Sequence, residues 1–145
     1  RQHEAIWHDL AAHPISVLLA LVPDGNVDWG SVQCVVESQR NECAFDFARP
    51  DGSAVKARIL LRNAPEGPMC RQFAVNGIPI GYEGRNDDDG VYCTYLTHGG
   101  AETKAKDFME ESITRFATGD LLATGDTGLK NLEMQLRLLE NAGRH

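Results

Sequence analysis

Four cysteines limit what this chain can fold into, because two successive pairs each bracket a strand, a turn and a second strand. Cys34 lies in 27–36 (VDWGSVQCVV) and Cys43 opens 43–48 (CAFDFA), both rich in β-branched and aromatic residues. The polar ESQRNE between them suits a hairpin loop. A hairpin centred near Gln39 sets the two cysteines opposite each other, with Cβ atoms ~4.5–5.5 Å apart, and a disulfide needs only a small adjustment from there. Cys70, in MCRQFAV, and Cys93, in VYCTYLT, enclose the short strand 78–82. A bridge between them would close a longer loop, worth roughly 3 kcal/mol in the chain-entropy picture. The expectation is that all four, Cys34, Cys43, Cys70 and Cys93, form disulfides in an oxidising compartment, periplasmic or secreted. The alternative is four buried thiols in a cytoplasmic protein, since free cysteine packs as a small hydrophobe. No C-x-x-C occurs, and the spacings do not match zinc ribbons or fingers, so no metal is expected. Four cysteines allow three pairings, which leaves the connectivity open.

A chain of 145 residues reads as one domain over 1–145 and can bury a real core without disulfides. Its 21 acidic residues against 14 basic ones give a net charge of −7, with no lysine or arginine run. Nucleic acid and anionic membranes need a basic face, so both are poor partners, whereas a basic protein is permitted. The longest apolar run, ISVLLALV at 15–22, is too short to span a bilayer. RQHEAIWHDLAAH at the start carries no signal-like apolar core, so an exported protein would have shed its signal before this sequence begins.

Hydrophobic periodicity predicts a helix over 2–12, ended at His13-Pro14, followed by ISVLLALV as a buried strand. Turn signals at Pro23–Asn26, Arg49–Gly52, Asn76-Gly77 and Asn86–Gly90 then separate strands near 27–36, 43–48, 54–62, 69–75, 78–83 and 91–97. In 54–62, Val55, Ala57, Ile59 and Leu61 share one face and Lys56, Arg58 and Arg62 the other. Toward the C-terminus, Ala105, Phe108, Met109, Ile113, Phe116 and Ala117 mark an amphipathic helix laid on a core, and a second helix runs from about Thr127 to Asn141. The expected fold is α+β: a single antiparallel β-meander of about six to seven strands, with an N-terminal helix and two C-terminal helices packed on one face.

No complete catalytic constellation is present: no G-x-S-x-G, no phosphate-binding glycine loop and no family signature around a cysteine. The turn Asp87-Asp88-Asp89-Gly90 lacks the glutamate an EF-hand loop ends on, and reads as a solvated hairpin turn. His3, His8 and His13 are spaced by five and spiral off any one helix face. His98-Gly99-Gly100 could present an imidazole at a strand end, with Asp89, Asp107, Glu110 or Glu111 as a partner, which keeps a small enzyme open as an alternative. Leu129, Leu132, Leu136 and Leu139 form a short stripe at three–four spacing, read as core or as a dimer contact through 129–139. Met134 and Leu138 add a second apolar face.

The leading expectation is therefore a non-enzymatic, exported, disulfide-stabilised binding module that acts through a protein partner, in an inhibitor, immunity or assembly role, with no cofactor. The contact residues expected are Leu132, Met134, Arg137 and Leu138, with Tyr82, Tyr92 and Tyr95 on a sheet face. A cytoplasmic regulatory or chaperone-like dimer with free thiols is the other alternative. Cys70-Arg71-Gln72-Phe73, followed by Gly81 and Asp89-Gly90-Val91-Tyr92, resembles the end of small bacterial surface-antigen lipoproteins over about twenty-five residues. In that family the second cysteine precedes the Asp-Gly, whereas Cys93 follows it here, and no site residue is carried over.

Overall fold

The computed structural model describes residues 4–63, 72–105, 108–120 and 124–142. Read above as one domain, the chain divides into two compact units: residues 1–66 with 125–145, and residues 67–124. The fold is α+β, but two four-stranded antiparallel sheets replace the single meander expected. The strands before and after 63–71 do not pair with each other. That segment carries Pro65 and Pro68, which have no N–H to give to a ladder.

The first unit begins with two helices, α1 (Ala5–Leu10) and α2 (Ala12–Leu21). The run 15–22 is thus helical rather than the strand expected. Its buried positions recur at fours: Trp7, Ala11, Ile15 and Leu19, with Val22 at the end, line one continuous face across both helices. Leu21, by contrast, is 56% exposed, so the run is not apolar all round in the folded chain. Pro14 does not end a helix either. It sits third in α2, where backbone N–H groups have no intrahelical acceptor and a missing one costs nothing.

The first sheet is built from β1 (Asn26–Val27), β2 (Gln33–Val36), β3 (Arg40–Ala48) and β4 (Ala54–Arg62). β3 pairs with β4 along its whole length, so β1 and β2 lie end to end on its other edge. The loop between them is tied down by Ser31, whose hydroxyl donates to the Asp28 carbonyl (2.7 Å) and accepts from the Asp46 N–H (2.8 Å). Burial alternates along β3, with Asn41, Cys43, Phe45 and Phe47 inward. Ile59 and Leu61 of β4 join them, as the alternation of 54–62 predicts. The final helix, α4 (Gly125–Ala142), returns to this unit and adds Met134 and Leu138 to the same core.

The second unit holds β5 (Gln72–Val75), β6 (Ile78–Asn86), β7 (Tyr92–His98) and β8 (Ala101–Lys104), paired in that order, then α3 (Phe108–Thr118). β8 lies just before the helix expected from Ala105, in a stretch where no strand was expected. Asn76, at φ 52°, and Gly77, at φ 78°, make the tight turn that the Asn-Gly pair predicts between β5 and β6. Among the described residues of this unit, Cys93 is the one buried apolar side chain. The helix expected to lie on a core instead shows Ile113 at 62% and Phe116 at 76% exposure. The side chains of Phe108 and Met109 lie outside those described.

Candidate functional site

The β2–β3 hairpin turns at Ser38-Gln39, where the Glu37 N–H donates to the Arg40 carbonyl (2.9 Å). Counting back in twos, Cys34 and Cys43 form a pair without its own backbone hydrogen bonds, the closer of the two kinds of cross-strand pair. Their Cα atoms are 4.2 Å apart and the disulfide is formed. Both cysteines face the core. The bridge therefore fixes the strand edge on which α4 packs, rather than offering a reactive sulfur to solvent. The second bridge expected is not formed at Cys93, which is a free buried thiol; Cys70 lies outside the described residues.

α4 is held in place by polar side chains as well as by its core face. Asn131, buried, donates through Nδ2 to the Ala12 carbonyl (3.0 Å) and to the Ser16 hydroxyl (2.8 Å), and its Oδ1 accepts from Gln135 Nε2 (2.6 Å). The indole of Trp7 donates to the Gln135 carbonyl (3.0 Å). Lys130 Nζ donates to the Gly25 carbonyl (2.7 Å), and the Arg137 guanidinium stacks 3.9 Å from the Trp29 ring centroid. These contacts fix the rotation of the helix about its axis. They turn Asn131, Met134 and Leu138 inward and leave Leu129, Leu132 and Leu136 outward, at 66%, 50% and 46% exposure. Of the contact residues expected on this helix, Met134 and Leu138 are therefore in the core, Leu132 is on the outer face, and Arg137 is at its border. The leucine pattern alone leaves core and contact surface both open, and the exposure of Leu129, Leu132 and Leu136 excludes the core reading for these three.

The second sheet has two unlike faces. Register places Tyr82 opposite Leu96, and Ile80 opposite Phe73, on one face with Tyr92 and Ile78. Tyr92 lies across Gly84, where a Cβ would run into its phenol ring. Tyr95 is on the opposite face, so the three tyrosines expected together are split. That face carries Arg85, Tyr95, Glu102 and Lys104 around an open depression of about 390 Å³, and Cys93 shares the face by register. Arg85 lies 3.6 Å from the Tyr95 ring centroid and pairs with Glu102. Lys104 Nζ donates to Asp87 Oδ2 (2.6 Å), and the Cys93 thiol approaches the same oxygen at 3.6 Å.

Asp87 also accepts at Oδ1 from the N–H groups of Val91 (2.8 Å) and Asp89 (3.0 Å). Its carboxyl is a strut of the β6–β7 turn, held down to about 2 by Lys104 first and by the Val91 N–H second. Lys104 is correspondingly pushed up by Asp87. Charges paired in this way build a turn and leave little for a substrate.

His98 is exposed at the tip of the β7–β8 hairpin, where Gly99 and Gly100 take positive φ. Asp89 is at the opposite end of β7, roughly 20 Å away at the rise of a strand. Glu111 is engaged by Arg115 (2.8 Å), and Asp107 lies outside the described residues. Asp89 is thus too far from His98, and Glu111 is already engaged, so neither of these two forms an acid–base pair with it. No group of three or more metal-binding side chains occurs among them, and none of their helices is long and apolar enough to cross a membrane. Comparison with protein-family models, curated proteins and solved structures found no match.

Proposed function

We propose that the protein is an extracytoplasmic, disulfide-stabilised binding module that docks a protein partner on the outer face of α4. The observation that carries this reading is the row Leu129, Leu132 and Leu136, exposed on a helix whose opposite face is fully used by the core. A single exposed leucine is ordinary, but a contiguous row on a rigidly seated helix supports an interaction surface. The buried Cys34–Cys43 bridge supports the compartment, because reducing cytoplasm disfavours structural disulfides. The Tyr82/Tyr92 face of the second sheet, with Tyr92 exposed and Tyr82 half-buried, supports a further area of contact, tyrosine being common at interface hot spots.

The test has two arms. Intact mass of protein from its native source, with and without reductant after alkylation under denaturing conditions, should show the Cys34–Cys43 bridge; free thiols at both positions would remove the compartment. Affinity capture from the same source, followed by titration of the purified, identified partner, should show at least tenfold weaker binding for Leu132→Asp than for the parent. Equal affinity would move the docking surface off α4.

A further inference from the structure

The leucine row of α4 is charged along one border only. Seven residues make about two turns, so Asp126, Glu133 and Glu140 stack in a second row. At about 100° per residue this acidic row runs beside Leu129 and Leu136, on the side away from Leu132. The opposite border is Gly128, Gln135 and Ala142, which carry no charge. Arg137 lies beyond the acidic row, occupied by the Trp29 ring and by Glu133 at 3.2 Å.

A second copy of this helix makes a poor occupant. Paired antiparallel, it would set acidic row against acidic row; paired parallel, it would set the acidic row against the uncharged one. Flanking charges of this kind choose partner and orientation in helix pairs. We infer that the α4 face docks a cationic amphipathic helix of another protein, with apolar side chains in the leucine row and lysine or arginine opposite Asp126, Glu133 and Glu140. This rests on the reading of α4 as the docking surface and adds the chemistry of the partner. The net charge of −7 works in the same direction, by raising the encounter rate with a cationic partner.

The probes are two synthetic helical peptides, each with leucine at heptad a and d positions, one with lysine and the other with glutamate at the flanking positions. Binding is read by fluorescence anisotropy on the full chain at low and at physiological salt. The lysine peptide should bind, at least tenfold tighter than the glutamate peptide, and should weaken as salt rises. Glu133→Lys with Glu140→Lys should reverse the preference, and Leu132→Asp should weaken the lysine peptide at least tenfold. Circular dichroism of each variant should match the parent, since all three positions are exposed.

Equal binding of the two peptides, or no effect of the charge swap, would overturn the cationic partner. If Leu132→Asp alone still weakened both peptides, the docking surface would stand without it. Binding of neither peptide would also overturn the inference, while the captured partner above decides the docking surface independently. A dimer in sedimentation velocity that Leu132→Asp dissolves would overturn it in favour of a second copy.

Discussion

At position 25 the chain has room for a hydrogen and nothing more. A Cβ there would fall inside the ring of Phe47 and 3.0 Å from Val22 Cγ1, and Phe47 is fully buried at the centre of the sheet core. The ring has nowhere to move, because its neighbours are themselves packed. Gly25→Ala should cost about 1–3 kcal/mol, the usual penalty for overpacking, seen as an earlier urea midpoint with an unchanged slope. The Pro-Asp-Gly signal of this loop announces a turn in the sequence, but the close approach of Phe47 is a tertiary fact that no local pattern carries. Asp87 makes a parallel case with charge. Its carboxyl is depressed from 3.8 to about 2 by Lys104 and the turn N–H groups. A group held lower in the folded state stabilises that state above its unfolded value, and the contribution is lost as pH falls from about 4 through about 2. An NMR titration of the Asp87 carboxyl should therefore give a midpoint near 2, and Asp87→Asn should flatten the acid limb of the stability profile. A midpoint near 4 would mean that Lys104 does not hold the charge.

Among elements, the β2–β3 hairpin was legible and α2 was not. Alternating apolar residues on both sides of a polar loop place Cys34 and Cys43 opposite each other from local information alone, and β4 follows from its own period of two. The disulfide closes a loop of about ten residues, so Cys34→Ala with Cys43→Ala should lower the unfolding free energy by roughly 2–3 kcal/mol in the chain-entropy picture. An unchanged urea midpoint would mean that the hairpin is already fixed by its packing under α4. The run ISVLLALV, by contrast, is apolar at nearly every position, so it carries no period to distinguish strand from helix. What decides it is the burial of Ile15 and Leu19 in line with Trp7 and Ala11, four residues apart. The same limit applies to α4. Its leucines describe a stripe, but Asn131 and its bonds to Ala12 and Ser16 settle which stripe faces in, and an asparagine reads as surface in a sequence. Of the contact residues expected on this helix, Met134 and Leu138 are therefore core residues, and Leu132 is exposed.

The two units differ in what could hold each together alone. The described core of the first unit draws every side chain from residues 6–61 and 134–142, and includes Trp7, Phe45, Phe47 and Leu138. The described part of 67–124 buries one apolar side chain, Cys93, and otherwise relies on backbone ladders and surface ion pairs. Surface pairs are worth little each, and a small sheet with one buried apolar side chain among its described residues is marginal. Residues 67–124 thus form an insertion into a unit whose two sequence halves already complete each other. Replacing them with a flexible Gly/Ser linker should leave a protein that unfolds cooperatively and keeps the near-ultraviolet signal of Trp7 and Trp29, both of which belong to the first unit. The isolated segment 67–124 should show strand content in the far ultraviolet and little cooperative transition. A linker variant that lost its near-ultraviolet signal would show that the insertion supplies part of the stability that the packing of α1, α2 and α4 on the first sheet accounts for here.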